Sequence, residues 1–181
     1  KEGKVMKSKR SILFSVTLGL SFLMVSTSLF AQVKEVKIGV LYPLSGAAAT
    51  IGRDLQKAAE WTAEELVNNK KPEIDLLMSK WGGIPNLGGA KIKLVFADHR
   101  GEPDRGADLA KRLIEDDKVA GLMGAYHSSV TKTVSMVAER YGVPMINDSS
   151  TSPDLTKRGF KWFWRVTPHD ESFTKDLFEL L

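Results

Sequence analysis

The stretch VKIGVLYPLSG (residues 36–46) decides the fold of this chain. Residues 36–41 are a short, β-branched and apolar run of the kind that forms a buried strand. Residues 43–46 are a cluster of turn-forming residues, and a helical pattern follows over residues 52–68. The residues on the predicted inner face of this helix recur at helical spacing: Leu55, Ala59, Thr62 and Leu66. A strand, a tight turn and a helix in this order are typical of an α/β unit.

The same alternation continues along the chain. Further strands are predicted at residues 92–97, 119–123, 144–147 and 162–166, and further helices from Pro103, over residues 128–141 and over residues 170–181. Because the strands are almost wholly apolar, the pattern predicts an α/β fold: a parallel sheet with helices on both faces. Residues 69–90 break the rhythm with two glycine pairs and are predicted to form an exposed insertion. Three of its apolar residues are expected to pack locally: Leu76, Leu77 and Trp81.

The first 31 residues are predicted to be a secretory signal peptide. A basic start at residues 7–10 precedes an uncharged, largely apolar stretch at residues 11–30, and the small residue Ala31 stands where cleavage is expected. The mature domain would then be residues 32–181. An uncleaved membrane anchor is the alternative, because 20 uncharged residues are long enough to span a bilayer. The chain has no cysteine, and an exported protein without disulfides fits a bacterial periplasm.

The net charge of +4 belongs to this leader. Residues 1–31 contain five basic side chains and one acidic side chain, and residues 32–181 contain 21 of each sign. No basic patch therefore remains to neutralise a phosphate backbone, which argues against a nucleic-acid partner.

The candidate site lies in the loops that follow the strands, because open parallel sheets bind ligands at the carboxyl ends of their strands, beside helix N-termini. Ser128 and Ser129 begin the helix after the third strand, where one hydroxyl could cap the helix and the other could receive an anion such as a carboxylate. Residues 149–152 are four consecutive hydroxyl side chains after the fourth strand, which offer donors and acceptors to a polar ligand. Helix capping alone, and a polar turn that ends at a Ser-Pro helix start, are alternatives that the pattern leaves open.

The sequence lacks the motifs of common catalytic and metal sites. His99, His127 and His169 have no metal-ligand spacing, and there is no Walker A sequence, no G-x-G-x-x-G after the first strand and no nucleophile elbow. An enzyme of flavodoxin-like fold would need an acid–base pair with perturbed pKa values in its cleft, and His127 with Asp148 is the one combination that could supply it. We therefore expect a binding protein that has no catalytic residues, no metal and no cofactor.

At these loops the sequence resembles the periplasmic branched-chain amino-acid-binding proteins, the leucine/isoleucine/valine-binding family of ABC-transporter substrate-binding proteins. The resemblance covers residues 36–181, and no single motif carries it. The matching motifs occur in the same order as in the family: IGVLYPLSG (38–46), ADHRGEPD (97–104), GAYHSSVT (124–131), YGVPMIN (141–147), SPDLT (152–156), RGF (158–160) and RVTP (165–168).

The resemblance implies a type I periplasmic-binding fold, in which two α/β lobes close on a ligand and residues 32–181 supply the first lobe. It implies capture of an amino acid or a similar small polar solute in the periplasm, and delivery to the membrane permease of an ABC transporter. In relatives, the ligand carboxylate meets the serine that matches Ser128, and the ammonium meets the carbonyl matching Ser149 and the hydroxyl matching Thr151. The candidate ligand-binding residues are Ser45, Tyr126, His127, Ser128, Ser129, Ser149, Ser150 and Thr151.

Three positions depart from the family pattern. His127 stands where the leucine binder has a disulfide-bonded cysteine, Asp148 replaces a small neutral residue, and Ile51 stands where an aromatic side chain often covers the ligand. The resemblance therefore implies an amino-acid ligand without pointing to leucine. A sensor or receptor ectodomain of the same fold is a second hypothesis, and a flavodoxin-like enzyme is a third.

Overall fold

The computed structural model of the protein describes residues 34–180, so the predicted signal peptide lies outside the described residues. Its strands form one sheet in the order β2-β1-β3-β4-β5, and every neighbouring pair is parallel. The strands are β1 (Glu35–Tyr42), β2 (Lys91–Asp98), β3 (Gly121–Gly124), β4 (Met145–Asn147) and β5 (Phe163–Arg165). The predicted parallel α/β sheet is therefore confirmed.

Helices connect these strands. They are α1 (Ala49–Trp61), which continues into the π-helical segment Thr62–Asn68, then α2 (Pro103–Glu115), α3 (Ser128–Tyr141) and α4 (Asp170–Leu180). Pro103 starts α2, where its missing N–H would have no helical partner. Gly142 ends α3 in the left-handed region at φ 65°, a conformation that other residues rarely adopt.

The two faces of the sheet are covered by different helices. On one face, α2 and α3 form the main core, in which Leu113, Val130 and Val134 pack with the inward residues of the strands. On the other face, α1 lies over β1 and β2. Its residues Leu55 and Ala59 line a groove together with the sheet residues of that face.

This second face is only partly covered. The groove between α1 and the sheet has a volume of about 510 Å³ and an almost entirely apolar lining, to which Ile38, Met123 and Ile146 contribute. Beyond it, Ile146 on β4 is 45% exposed and Trp164 on β5 is 49% exposed. Within the described residues, an apolar surface on this face of β3, β4 and β5 is therefore open to solvent.

The segment between α1 and β2 contains two short 3₁₀ turns, Leu77–Lys80 and Pro85–Leu87. Its centre is organised by Ser79, which is fully buried and whose hydroxyl lies 2.6 Å from the carbonyl oxygens of both Ile74 and Leu76. The expected local packing of the apolar residues is wrong, because backbone hydrogen bonds shape the segment and leave those side chains open to water. The exposed fractions are 47% for Leu76, 71% for Leu77 and 43% for Trp81.

Candidate functional site

The loops that follow β1, β2, β3 and β4 all leave the same edge of the sheet, because the strands are parallel. The chain crosses from β1 to β2 on one side and places β3 on the other side of β1. The loops after β1 and β3 therefore diverge and leave a crevice at this switch point, where open α/β sheets bind ligands. Ser45 lies in the first of these loops, Tyr126 and His127 lie in the second, and Ser128 begins the helix that follows.

The β1 loop is held by Asp98, the last residue of β2. The Asp98 Oδ1 atom accepts hydrogen bonds from the N–H groups of Leu44 (2.9 Å), Ser45 (3.3 Å) and Arg100 (3.0 Å). Its Oδ2 atom accepts the hydroxyl of Ser45 at 2.5 Å. Partial burial acts to raise the pKa of Asp98, but these hydrogen bonds outweigh it and hold the pKa below the ordinary value.

This arrangement fixes the chemical role that Ser45 can take. A carboxylate can only accept, so the single hydroxyl proton of Ser45 is committed to Asp98. The Ser45 oxygen therefore has only lone pairs left, and it can accept a hydrogen bond from a ligand but cannot donate one.

The loop after β3 leads directly into α3. His127 occupies the N-cap position of this helix, and no side chain caps it, so the capping role considered for Ser128 and Ser129 is not adopted. Within residues 34–180, the N–H groups of Ser128, Ser129 and Val130 have no protein acceptor. The Ser128 oxygen accepts a long hydrogen bond from the N–H of Ser152 at 3.4 Å. The helix thus presents unpaired donors and the positive end of its dipole to the crevice, an arrangement suited to an anion.

The loop after β4 is shaped by Asn147, which is fully buried. Its side-chain nitrogen donates to the carbonyl of Ser150 at 2.7 Å, and its oxygen accepts from the N–H groups of Ser149 (3.3 Å) and Ser150 (2.9 Å). The hydroxyl of Ser149 donates to Asp148 at 2.8 Å. No partner is found for the hydroxyl of Thr151 in the described part of the chain, and Thr151 is partly exposed at this edge.

Ser150 has a different environment from its neighbours. Its side chain is 1% exposed, and its hydroxyl donates to the carbonyl of Tyr126 at 3.0 Å. The hydroxyl of Thr131 lies 2.6 Å from Ser150, and it also accepts the N–H of Ala125 at 3.3 Å. The donors can be assigned because a carbonyl only accepts and an N–H only donates. The hydrogen bonds therefore form a series: the N–H of Ala125 donates to Thr131, Thr131 donates to Ser150, and Ser150 donates to the Tyr126 carbonyl. Ser150 thus joins the β3 and β4 loops.

The remaining predicted residues surround the start of α3. The ring of His127 makes edge contacts with Tyr126, at 4.9 Å between ring centroids, and with His99 at 5.7 Å. The Nδ1 atom of His127 is buried and has no hydrogen-bond partner among the described residues. The acid–base pair considered for an enzyme does not form within residues 34–180, because no hydrogen bond or ion pair joins His127 to Asp148; the carboxylate bonds to Tyr42 and Ser149.

Asp98 and His99 hold the loops of the crevice, and neither is among the candidate site residues predicted from the sequence. His99 is fully buried, and its ring bonds to Gly101 and to the carbonyl of Ala125. The sequence held one signal for them: two adjacent polar residues follow an apolar strand at its carboxyl end, where open parallel sheets bind ligands. Among residues 34–180, no helix has the length and apolar character that a bilayer crossing requires, and no cluster of three or more His, Asp or Glu side chains could hold a metal ion.

Comparisons with known proteins agree with this architecture. A family model described as periplasmic binding protein matches residues 35–180. The chain is 33% identical over 165 residues to a Leu/Ile/Val-binding protein homolog of Brucella melitensis, which covers 91% of this chain and 38% of that protein. It is 34% identical over 137 residues to an amino acid binding protein of Pseudomonas aeruginosa, covering 76% of this chain and 33% of that protein. The chain thus spans between a third and two fifths of the length of these relatives.

Two solved structures of similar sequence share the fold. The branched-chain amino acid transporter substrate-binding protein LivJ of Streptococcus pneumoniae, in complex with isoleucine, is 29% identical with a TM-score of 0.63. The match covers 76% of this chain and 35% of that one. The leucine-binding protein LivK of Thermotoga maritima is 27% identical with a TM-score of 0.64, and the match covers 78% of this chain and 35% of that one.

Proposed function

The chain belongs to the periplasmic binding protein family, and on that premise we propose that it forms the first lobe of the substrate-binding component of an ABC importer. The ligand is an amino acid or a similar small polar solute that carries a carboxylate. The protein acts in the periplasm and delivers the ligand to a membrane permease. It has no catalytic role, in keeping with a family of substrate-binding proteins.

One observation carries the proposal: the N-terminus of α3 points unpaired N–H groups at the crevice between the β1 and β3 loops. In the proposal, the carboxylate of the ligand accepts hydrogen bonds from Ser128 and from the N–H groups of Ser129 and Val130. Donors of this kind at a helix N-terminus are a recurrent way to bind carboxylates and phosphates. The exposed side chain of Ser129 can add a further donor to the same anion.

The ammonium group of the ligand would be bound from the other loops. Ser45 can only accept a hydrogen bond, which suits an ammonium donor. The carbonyl of Ser149 and the hydroxyl of Thr151 supply the other acceptors in the proposal. Tyr126 and His127 flank the carboxylate position, and Ser150 contributes by joining the β3 and β4 loops. A ligand held this way has both charged ends bound by this lobe, and the second lobe closes over it.

A calorimetric titration of the full-length protein tests the charge pattern directly. L-leucine, L-isoleucine and L-valine are compared with L-leucinamide, which lacks the carboxylate, and with 4-methylpentanoate, which lacks the ammonium. We expect at least one amino acid to bind with a dissociation constant of micromolar order. Loss of either charge should weaken binding at least about tenfold, since each removes charge-assisted hydrogen bonds. Equal binding of L-leucine and L-leucinamide would contradict the carboxylate site at α3.

Export of the protein is the second part of the proposal. The signal peptide assigned to residues 1–31 lies outside the described residues, and it is supported by its basic, apolar and small-residue order. A sensor or receptor ectodomain would need the same export, so localisation alone does not separate the two roles. Uptake of radiolabelled amino acid by cells with and without the gene separates them, because a sensor would leave uptake unchanged.

A further inference from the structure

We propose that His99 is a positioning residue for the ligand site, which in its neutral Nε2–H form fixes the peptide of Ala125 and so sets the direction of the N–H groups at the start of α3. The proposal rests on the proposed function for the identity of the ligand. The claim that His99 fixes the Ala125 peptide and the start of α3 does not depend on that function. His99 itself touches no ligand in this arrangement. It lies beneath the β3 loop, fully buried.

The protonation state of His99 follows from its two hydrogen-bond partners. Its Nδ1 atom lies 3.0 Å from the N–H of Gly101, and a backbone N–H can only donate, so Nδ1 must carry a lone pair. Its Nε2 atom lies 2.9 Å from the carbonyl oxygen of Ala125, and a carbonyl can only accept, so Nε2 must carry the proton. A neutral Nε2–H imidazole is the one form that satisfies both contacts.

The surroundings of the ring agree with a neutral histidine. Burial, with a smaller contribution from His127, lowers the pKa of His99 to about 4, although the hydrogen bond to the Ala125 carbonyl favours the charged form. Asp98, the preceding residue, favours the charged form, but its carboxylate turns toward the β1 loop and bonds to Ser45 and Leu44. The charged residues that follow in the sequence contact only the backbone of this turn: the N–H of Glu102 donates to the His99 carbonyl, and Arg105 donates to the Asp98 carbonyl.

Ala125 is held through both of its backbone groups, the carbonyl and the N–H. The carbonyl of Ala125 accepts from His99 and from the N–H of His127 at 2.8 Å, and the N–H of Ala125 donates to Thr131. Ser128 begins α3 three residues after Ala125. A rotation of the Ala125 peptide would therefore redirect the entry into the helix and the unpaired donors that follow it.

A second contact interlocks the same two loops. The ring of His127 lies against Gly101, whose φ is +84°, and a Cβ atom built on Gly101 would lie 3.4 Å from His127 Cε1 and 3.5 Å from Nε2. The ring of His127 can pack here because Gly101 has no side chain. The turn at residues 99–101 thus meets the β3 loop twice, through the His99 hydrogen bond and through the packing of His127.

Two substitutions separate the two hydrogen bonds of His99. In His99→Asn the side-chain oxygen can replace Nδ1 as the acceptor for Gly101, but nothing reaches Ala125. In His99→Gln the amide nitrogen can replace Nε2 as the donor to Ala125, and the side chain cannot take up a proton. If positioning is the role, the glutamine variant should retain the properties of the wild type at neutral pH and the asparagine variant should lose them.

The test combines a ligand-independent and a ligand-dependent measurement on the full-length protein. Hydrogen exchange of the hydrogen-bonded amides of Ala125, His127 and Thr131 should speed up about five- to tenfold in His99→Asn and by less than about threefold in His99→Gln, the change expected for one lost hydrogen bond. Exchange at Val40 and Leu122, in the sheet, should not change. L-leucine affinity should fall in parallel in the asparagine variant. Nitrogen NMR of the wild-type imidazole should show an unprotonated Nδ1.

Each outcome bears on the proposal. A protonated Nδ1, or loop exchange equal in wild type and His99→Asn, would overturn the geometric assignment. Faster loop exchange with unchanged L-leucine affinity would overturn the role in the ligand site. If the wild-type protein fails to bind L-leucine, the failure concerns the proposed ligand. The exchange and NMR results then decide whether His99 holds the loop.

Discussion

The hydroxyl of Tyr42, at the end of β1, donates a hydrogen bond to the carboxylate of Asp148, which follows β4. The two residues are 106 positions apart in the chain, and β3 lies between their strands in the sheet. Tyr42 is 2% exposed, and burial, followed by the charge of Asp148, raises its pKa above the ordinary value. The phenol therefore stays protonated and keeps donating throughout the physiological pH range.

Replacement of Tyr42 by phenylalanine should lower the free energy of unfolding by about 1–3 kcal/mol, because the partly buried carboxylate of Asp148 loses one of its two side-chain donors. Tyr141→Phe is the matched control, since Tyr141 also bonds to a carboxylate, that of Glu115, but lies at the surface and is 39% exposed. The control should change stability by less than about 0.5 kcal/mol. Urea denaturation of both variants measures the difference, and equal effects would mean that burial of the Tyr42 pair does not matter.

Stability should depend on pH through His99. Its pKa is lowered from 6.5 to about 4 in the folded protein, so the unfolded chain takes up a proton first as the pH falls. The free energy of unfolding should therefore decrease between about pH 6.5 and 4, by up to about 3 kcal/mol, and this loss should level off below pH 4. Asp98, whose pKa is lowered, contributes a separate loss in a more acidic window.

The variant His99→Gln provides the control for this pH dependence, because it cannot titrate. Its stability profile should be flatter than that of the wild type between pH 6.5 and 4, and the two should converge in slope below that range. Denaturant midpoints at half-unit pH intervals measure both profiles. Identical slopes in the two proteins would assign the acid sensitivity to other groups.

Replacement of Ser128 by alanine in the full-length protein should weaken ligand binding about tenfold or more, because the proposed site loses a hydroxyl that donates to the ligand carboxylate. Ser172→Ala is the control, since Ser172 also lies in the first turn of a helix, α4. Its affinity should equal that of the wild type. Calorimetry with the tightest-binding amino acid measures both, and an unaffected Ser128→Ala would leave Ser128 with a structural role only.

The leader should be removed after Ala31 during export. N-terminal sequencing of protein from a periplasmic fraction should begin at Gln32, as the basic, apolar and small-residue order predicts. An Ala31→Asp variant should slow or block processing, because a small residue is required at the cleavage point. Recovery of the wild type at full length, and only from membranes, would instead support the uncleaved anchor.

The helices and strands could be predicted because each depends on residues that are close together in the sequence. Helical spacing alone predicts one apolar face of α3, formed by Val130, Val134, Val137, Ala138 and Tyr141. Val130, Val134 and Ala138 are fully buried, whereas Tyr141, in the last turn, is 39% exposed. The start of α2 at Pro103 and the end of α3 at Gly142 follow from the backbone chemistry of the single residues at those positions. The π-helical segment Thr62–Asn68 was not predicted, because its wider turn leaves the apolar spacing close to that of an ordinary helix.

The partners of the loop residues could not be predicted in the same way. Four hydroxyl residues after β4 look equivalent in the sequence, yet Ser150 is buried between the β3 and β4 loops while Thr151 remains partly exposed. The difference arises from Thr131 and Tyr126, which are about 20 residues earlier in the chain and meet Ser150 only in the folded sheet. The roles of Asp98 and His99 were hidden for the same reason, since their partners belong to other loops.

Asp98 and His99 are adjacent, yet one bonds to the β1 loop and the other to the β3 loop. Successive side chains of a strand point to opposite sides of the sheet. The length of β2 therefore decides which of the two residues faces the β1 loop and which faces the β3 loop. Inserting or deleting one residue within Lys91–Asp98 would exchange the two sides and set a carboxylate against the Ala125 carbonyl. Changes of odd length in this strand should therefore be selected against in evolution.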